Sequence, residues 1–105
     1  MTYELRTYTS TPGRRDDVLT RFRDHTDEIF TRHGMHSVGY WVSDADPDVL
    51  VYVLRHDGDP KTNWAGFQAD PEWIAAKAAS VTNGEIVSDI RSVLMSPTDF
   101  SRLQG

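Results

Sequence analysis

The sequence predicts an α+β fold in βαββαβ order, a four-stranded antiparallel sheet with its helices on one face. Three observations predict it. Runs that alternate with β period stand at both ends of the chain and as an adjacent pair near its middle; apolar residues at helical spacing fill the stretches between; and each transition carries a turn or capping signal. Nothing reads as a linker, a long repeat or a low-complexity run, so residues 1–105 are expected to form one domain.

Residues 2–9, TYELRTYT, alternate as a strand with Tyr3, Leu5 and Thr7 on one face and Glu4, Arg6 and Tyr8 on the other. Thr11 stands where it can cap a helix whose first position is Pro12, and Asp16 and Asp17 suit the positive end of the helix dipole. Val18, Phe22, Ile29, Phe30 and His33 then recur at helical spacing until Gly34 supplies a stop. HSVGYWVS (36–43) and VLVYVLRH (49–56) flank the turn-forming DADPD and predict a β-hairpin. Asp59-Pro60 and Asp70-Pro71 each set an N-cap residue before a proline at the first helical position, so 59–82 should hold two short helices. Trp64, Phe67, Trp73 and Ile74 mark their buried side. EIVSDIRSVLM (85–95) is the last strand, ending before Ser96-Pro97. This is the split βαβ, or ferredoxin-like, arrangement.

The third strand carries an expectation about assembly. Leu50, Tyr52 and Leu54 lie on one side, and Val49, Val51 and Val53 on the other, the pattern of a strand covered on both faces. The helices can cover only one. A second copy packed on the other is the economical solution, so a homodimer is expected.

Composition excludes several classes of function. A net charge of −5 without a basic cluster argues against nucleic acid and anionic membrane as partners. With no cysteine, there is no disulfide, thiolate nucleophile or Cys-ligated metal. The sequence shows no charged, apolar leader and no stretch long enough to span a bilayer, so an unprocessed cytoplasmic protein is the expectation. His33 and His36 look like a ligand pair, but Gly34 ends the helix between them, and no metal site is expected.

The chain resembles the NIPSNAP family. The residues that carry the resemblance are YELRTYT followed by Pro12-Gly13, HGMHSVGYW, LVYVL, WAGFQADPEW and SPTDFS, almost end to end. The resemblance implies the dimeric α+β barrel form of the ferredoxin-like fold and says little about chemistry. Some enzymes of the superfold degrade haem with a histidine on the second helix. Here EWIAAKAAS has Lys77 and no histidine, so no haem or other cofactor is expected.

Candidate site residues follow from strand pairing. In this topology the first strand lies antiparallel to the last, and the register that sets Glu4 opposite Arg91 and Arg6 opposite Asp89, with Leu5 opposite Ile90, avoids like-charge contacts. It predicts a tetrad of Glu4, Arg6, Asp89 and Arg91, flanked by Tyr8 and joined by Trp41 and Tyr52. The tetrad reads either as a salt-bridge ladder or as a pocket in which arginine holds a carboxylate, enolate or carbonyl oxygen against an aromatic wall. His25, one turn from Phe22 and Ile29, is expected partly on the inner face of the first helix and reads as a satisfied helix histidine or as a base. His56, at a strand end, is expected to be exposed. Trp64 and Trp73 read as core anchors or as ligand platforms.

Two functions are left open. One is a cofactor-independent enzyme of isomerase, cyclase or monooxygenase type acting on a small aromatic or unsaturated carbonyl or carboxylate compound. In it Arg6 and Arg91 hold the developing anion, Glu4, Asp89 or His25 moves a proton, and Tyr8, Trp41, Tyr52 and Trp64 bind the substrate. The other is a binding or scaffold dimer with no chemistry.

Overall fold

A computed structural model describes residues 1–104. The chain runs β1 (Thr2–Ser10), α1 (Arg15–Arg21), a π-helical turn (Phe22–Thr26), α2 (Asp27–Arg32), β2 (Met35–Val42), β3 (Val49–His56), α3 (Pro60–Ala69), α4 (Pro71–Ser80) and β4 (Val87–Met95). The strands form one antiparallel sheet in the order β2-β3-β1-β4, with the helices on one face, the ferredoxin-like α+β arrangement.

The strands lie where their β period places them, and the two Asp-Pro signals act as caps. Asp59 accepts from the backbone N–H of Thr62, and Asp70 from that of Glu72. The Thr11-Pro12 signal does not start a helix. Arg14 N–H donates to the Thr11 carbonyl at 2.9 Å across Pro12 and Gly13, and Gly13 has φ +81°. Proline followed by a left-handed glycine makes a type II turn, so the helix begins only at Arg15.

Even-numbered residues of β1 and β3 face the helices. Tyr8, Leu50, Tyr52 and Leu54 meet Val18, Phe22, Ile29, Phe30 and Phe67 there in one core. Phe22, Phe30 and Tyr52 pack ring on ring, with centroids 5.1 to 6.1 Å apart. The odd-numbered residues of β3, Val49, Val51 and Val53, are only half-buried, on a face that no helix covers.

Candidate functional site

The pairing of β1 with β3 brings a carboxylate into the core side of the sheet. Glu4 is 2 % exposed, and its carboxylate accepts four hydrogen bonds. Oε1 takes His56 Nε2–H at 2.7 Å and Trp64 Nε1–H at 2.8 Å; Oε2 takes Arg6 at 3.1 Å and the Ser92 hydroxyl at 2.5 Å. Asn63 fixes the tautomer of His56. Its amide N–H₂ faces His56 Nδ1 at 3.1 Å and the Asp57 carbonyl at 2.9 Å, so Nδ1 accepts and the ring proton sits on Nε2, toward Glu4. Burial alone would raise the Glu4 pKa, but the hydrogen bonds from Ser92, Trp64 and His56 and the charge of Arg6 outweigh it, and the carboxyl lies below its ordinary value.

Arg6 is the next residue on the same face. Its Nε–H donates to the Tyr52 hydroxyl at 2.9 Å and a terminal N–H to the Tyr8 hydroxyl at 3.3 Å, while its guanidinium lies 4.3 Å from the centre of the Trp64 ring. Burial would lower its pKa, yet the two tyrosine oxygens hold it above its ordinary value. Tyr52 is fully buried, and desolvation, then Tyr8, push its hydroxyl well above the ordinary phenol range against the opposing pull of Arg6. The result is a fixed cation next to the neutral Tyr52 hydroxyl.

This cluster faces a trough. The helices do not close over β4, an edge strand, so Ile90 and Leu94 on its helix side stay about half exposed. Between β4 and α3/α4 lies a cavity of about 480 Å³ lined by Arg6, Tyr8, Trp64, Trp73, Lys77 and Ile90. A second hollow of about 360 Å³ shares Tyr8, Trp73, Lys77 and Ile90 and adds Arg21 and Glu85. A third, of about 300 Å³, shares Trp64 and reaches Glu4, Ser92 and Leu94.

The NIPSNAP family model matches residues 3–102, nearly the whole chain. The chain belongs to the NIPSNAP family. Similar solved structures include a NIPSNAP family protein of unknown function from Agrobacterium tumefaciens, 27% identical, with a TM-score of 0.83 over 99% of this chain and 94% of that one. Another is a NIPSNAP domain protein from Burkholderia xenovorans, 27% identical, with a TM-score of 0.76 over 96% of this chain and 98% of that one. An antibiotic biosynthesis monooxygenase shares the fold at 19% identity, with a TM-score of 0.66 over 93% of this chain and 99% of that one. No curated protein matches the chain.

In this NIPSNAP chain, Glu4, Arg6, Tyr8, Tyr52 and Trp64 come together, but the predicted tetrad does not form. Arg6 lies opposite Ser92, Glu4 opposite Leu94, Thr7 opposite Arg91 and Thr9 opposite Asp89. The register differs from the expected one by three residues, an odd number, so every β4 side chain changes face. Charge matching decides only between registers of one parity. In the register that forms, Asp89 and Arg91 stay hydrated and pair with each other at 3.3 Å, while Ile90 and Leu94 take the helix side and the Ser92 hydroxyl reaches Glu4.

Three further expectations are corrected. Trp41 stands on the open face, 54 % exposed and across the sheet from Arg6; its ring covers Gly39, where a Cβ would come within 2.6 Å of it. A bulge between Ser37 and Gly39 shifts this part of β2. His25 is exposed and lines another hollow, with Arg14, Asp17 and Ala79, which also reaches Arg21. The π-helical turn explains this, because its extra residue per turn carries Thr26 inward in place of His25, and the Thr26 hydroxyl satisfies the Arg21 carbonyl at 3.2 Å. His56 is fully buried rather than exposed. The period-two run Leu50, Tyr52, Leu54 continues to it, and that continuation was the available signal. Asn63 and Ser92 carry no sequence signal of their own, since what makes them matter is the carboxylate they reach.

Proposed function

We propose that this protein binds a small, flat, apolar compound bearing a carbonyl or carboxylate oxygen in the trough between β4 and α3/α4. The observation that carries this reading is Arg6. It is held rigidly by Glu4, Tyr8 and Tyr52 on the trough wall between aromatic rings, and three of its hydrogen bonds are internal while a guanidinium has five N–H groups to give. The geometry supports binding better than proton transfer. Glu4 is engaged by four donors and held ionised, and Asp89 and His25 lie apart from Arg6, so the carboxylates and histidine that a catalytic reading would use are not poised beside a guest. The same reading takes the protein as a homodimer joined through the open sheet face, supported by half-buried Val49, Val51 and Val53 and by exposed Trp41 and Val93.

Ala78 tests the trough. It lines the largest hollow from an exposed position on α4, so Ala78→Trp should fill the space without disturbing the core. Amide-proton NMR titration with trans-cinnamate and trans-cinnamamide should shift resonances of trough residues in the wild type and leave them unmoved in A78W. Shifts confined to other surfaces, or equal in both proteins, would refute the reading.

A further inference from the structure

The two arginines of the trough differ in how their charge is balanced. Arg6 is paired with Glu4 at 3.1 Å. Arg21 is 8 % exposed, and its neighbours carry no countercharge in contact with it: one terminal nitrogen donates to the Ser80 hydroxyl at 3.1 Å, and the guanidinium lies 5.1 Å from the centre of the Trp73 ring. Its Nε–H is buried without a partner. Among the described residues no carboxylate forms an ion pair with it; Glu85 acts on it only at longer range. Burial pulls its pKa below the ordinary value, the direction expected of a cation short of compensation.

Such a group is costly to the fold unless something else completes it. Arg21 lines the second hollow of the trough together with Lys77, Trp73 and Ile90. Trp73 and Lys77 stand four residues apart on α4 and share a face, so a flat body on the tryptophan has an ammonium at its end. Glu85 lines the same hollow. Its charge favours a monoanion over a doubly charged phosphate.

We propose that the Arg21–Lys77 end of the trough is a carboxylate site, which takes the acid group of a flat, apolar monocarboxylic acid whose body lies along Trp73 and Ile90. This rests on the trough reading above and adds the polarity of the guest. Arg6, already neutralised, meets an uncharged oxygen; Arg21 meets the anion.

The acid and amide probes separate the two ideas, because trans-cinnamate and trans-cinnamamide share a shape and differ in charge. In the wild type the acid should bind about tenfold or more tightly than the amide, the size of one charge-assisted hydrogen bond. Arg21→Met should remove most of that preference, leaving the acid ahead by no more than the roughly twofold to fivefold share of Lys77, and leave the amide unchanged. The unliganded R21M protein should unfold at the same or higher urea concentration than the wild type, since an uncompensated buried charge has been removed. Lys77→Ala, at an exposed position, should weaken only the acid, by about twofold to fivefold, as expected of an exposed ion pair. Equal binding of acid and amide in the wild type, or an acid preference that survives both variants, overturns the carboxylate site and leaves the trough standing. R21M protein that unfolds more easily than the wild type also overturns it, by making Arg21 a structural cation. If neither probe binds, or A78W binds both, the trough reading fails and this proposal with it.

Discussion

Replacing Glu4 by methionine should cost more than replacing Arg6 by methionine, although the two residues form one ion pair. The asymmetry comes from counting partners. Glu4→Met strands four donors at once, from His56, Trp64, Arg6 and Ser92. His56 is fully buried, while Ser92 lies on the exposed edge strand and can turn to water. An unmatched buried donor costs about 1–3 kcal/mol, and breaking a buried pair from one side about 3–5 kcal/mol. With partial rehydration of Arg6 and Ser92, we expect a loss of about 3–5 kcal/mol, a large share of the roughly 5–15 kcal/mol typical of a small domain. Arg6→Met leaves Glu4 three donors and frees the hydroxyls of Tyr8 and Tyr52, so about 1–3 kcal/mol is expected.

Glutamine at position 4 is no conservative control. At the Oε1 position its amide N–H₂ would meet the N–H groups of His56 and Trp64, and at the Oε2 position that of Arg6, where only the Ser92 hydroxyl can turn to accept. The assay is urea unfolding at fixed protein concentration, followed by tryptophan fluorescence, with Trp64 inside the network. Arg6→Met costing more than Glu4→Met, or Glu4→Met costing less than about 1 kcal/mol, would refute the argument. A cycle of Arg6→Met with Asp89→Leu is the control. Asp89 lies opposite Thr9 on the other face, so the two changes should add to within about 0.5 kcal/mol.

Acid should act through the same carboxylate. The folded-state pKa of Glu4 lies below its ordinary 4.5, so its stabilisation is complete above that value and is lost as pH falls through the depressed one. Asp70, hydrogen-bonded first to His33 and then to Arg32, is lowered as well and acts in the same direction. Urea midpoints measured from neutrality down to about pH 3 should therefore fall for the wild type and fall less for Glu4→Gln and for Asp70→Asn, which keeps an N-cap; parallel curves would refute this. On the open face, sedimentation should find a wild-type dimer and a shift toward monomer in Trp41→Glu. A folded wild-type monomer at micromolar concentration would exclude the face as an interface.

The fold was legible because its signals are local. Alternation over Val49–His56, the Asp-Pro caps and the glycine stop each act within a few residues, and the elements follow them. Where a competing local signal was overlooked, the error was local too. Gly13 turns Thr11-Pro12 into a turn, and the π-helical turn moves His25 one position out of the core. Pairing was less legible. A one-residue change of parity exchanges the faces of an entire strand, and in β4 both faces offer apolar residues, Ile90 and Leu94 on one and Val93 and Met95 on the other, so alternation alone does not choose between them.

The candidate site shows the same division at the level of charge. Arg6 was visible from sequence because its carboxylate is two residues away on the same strand face. Arg21 stands three residues after Val18 and one before Phe22, on the inner side of α1, where the helical period gave a reason to notice it. Its interest lies in the absence of a partner, and that depends on Ser80, Trp73 and Glu85, all more than fifty positions along the chain. Sequence can show that a cation faces inward, but only the assembled fold shows whether its charge is already met. Two inward arginines on neighbouring elements therefore differ in chemistry: Arg6 is a completed pair that can orient a neutral oxygen, while Arg21 is an incomplete one whose missing half is supplied by an anion or by nothing. The acid–amide comparison in R21M distinguishes those two cases, because only the first predicts a charge preference that falls when the side chain is removed.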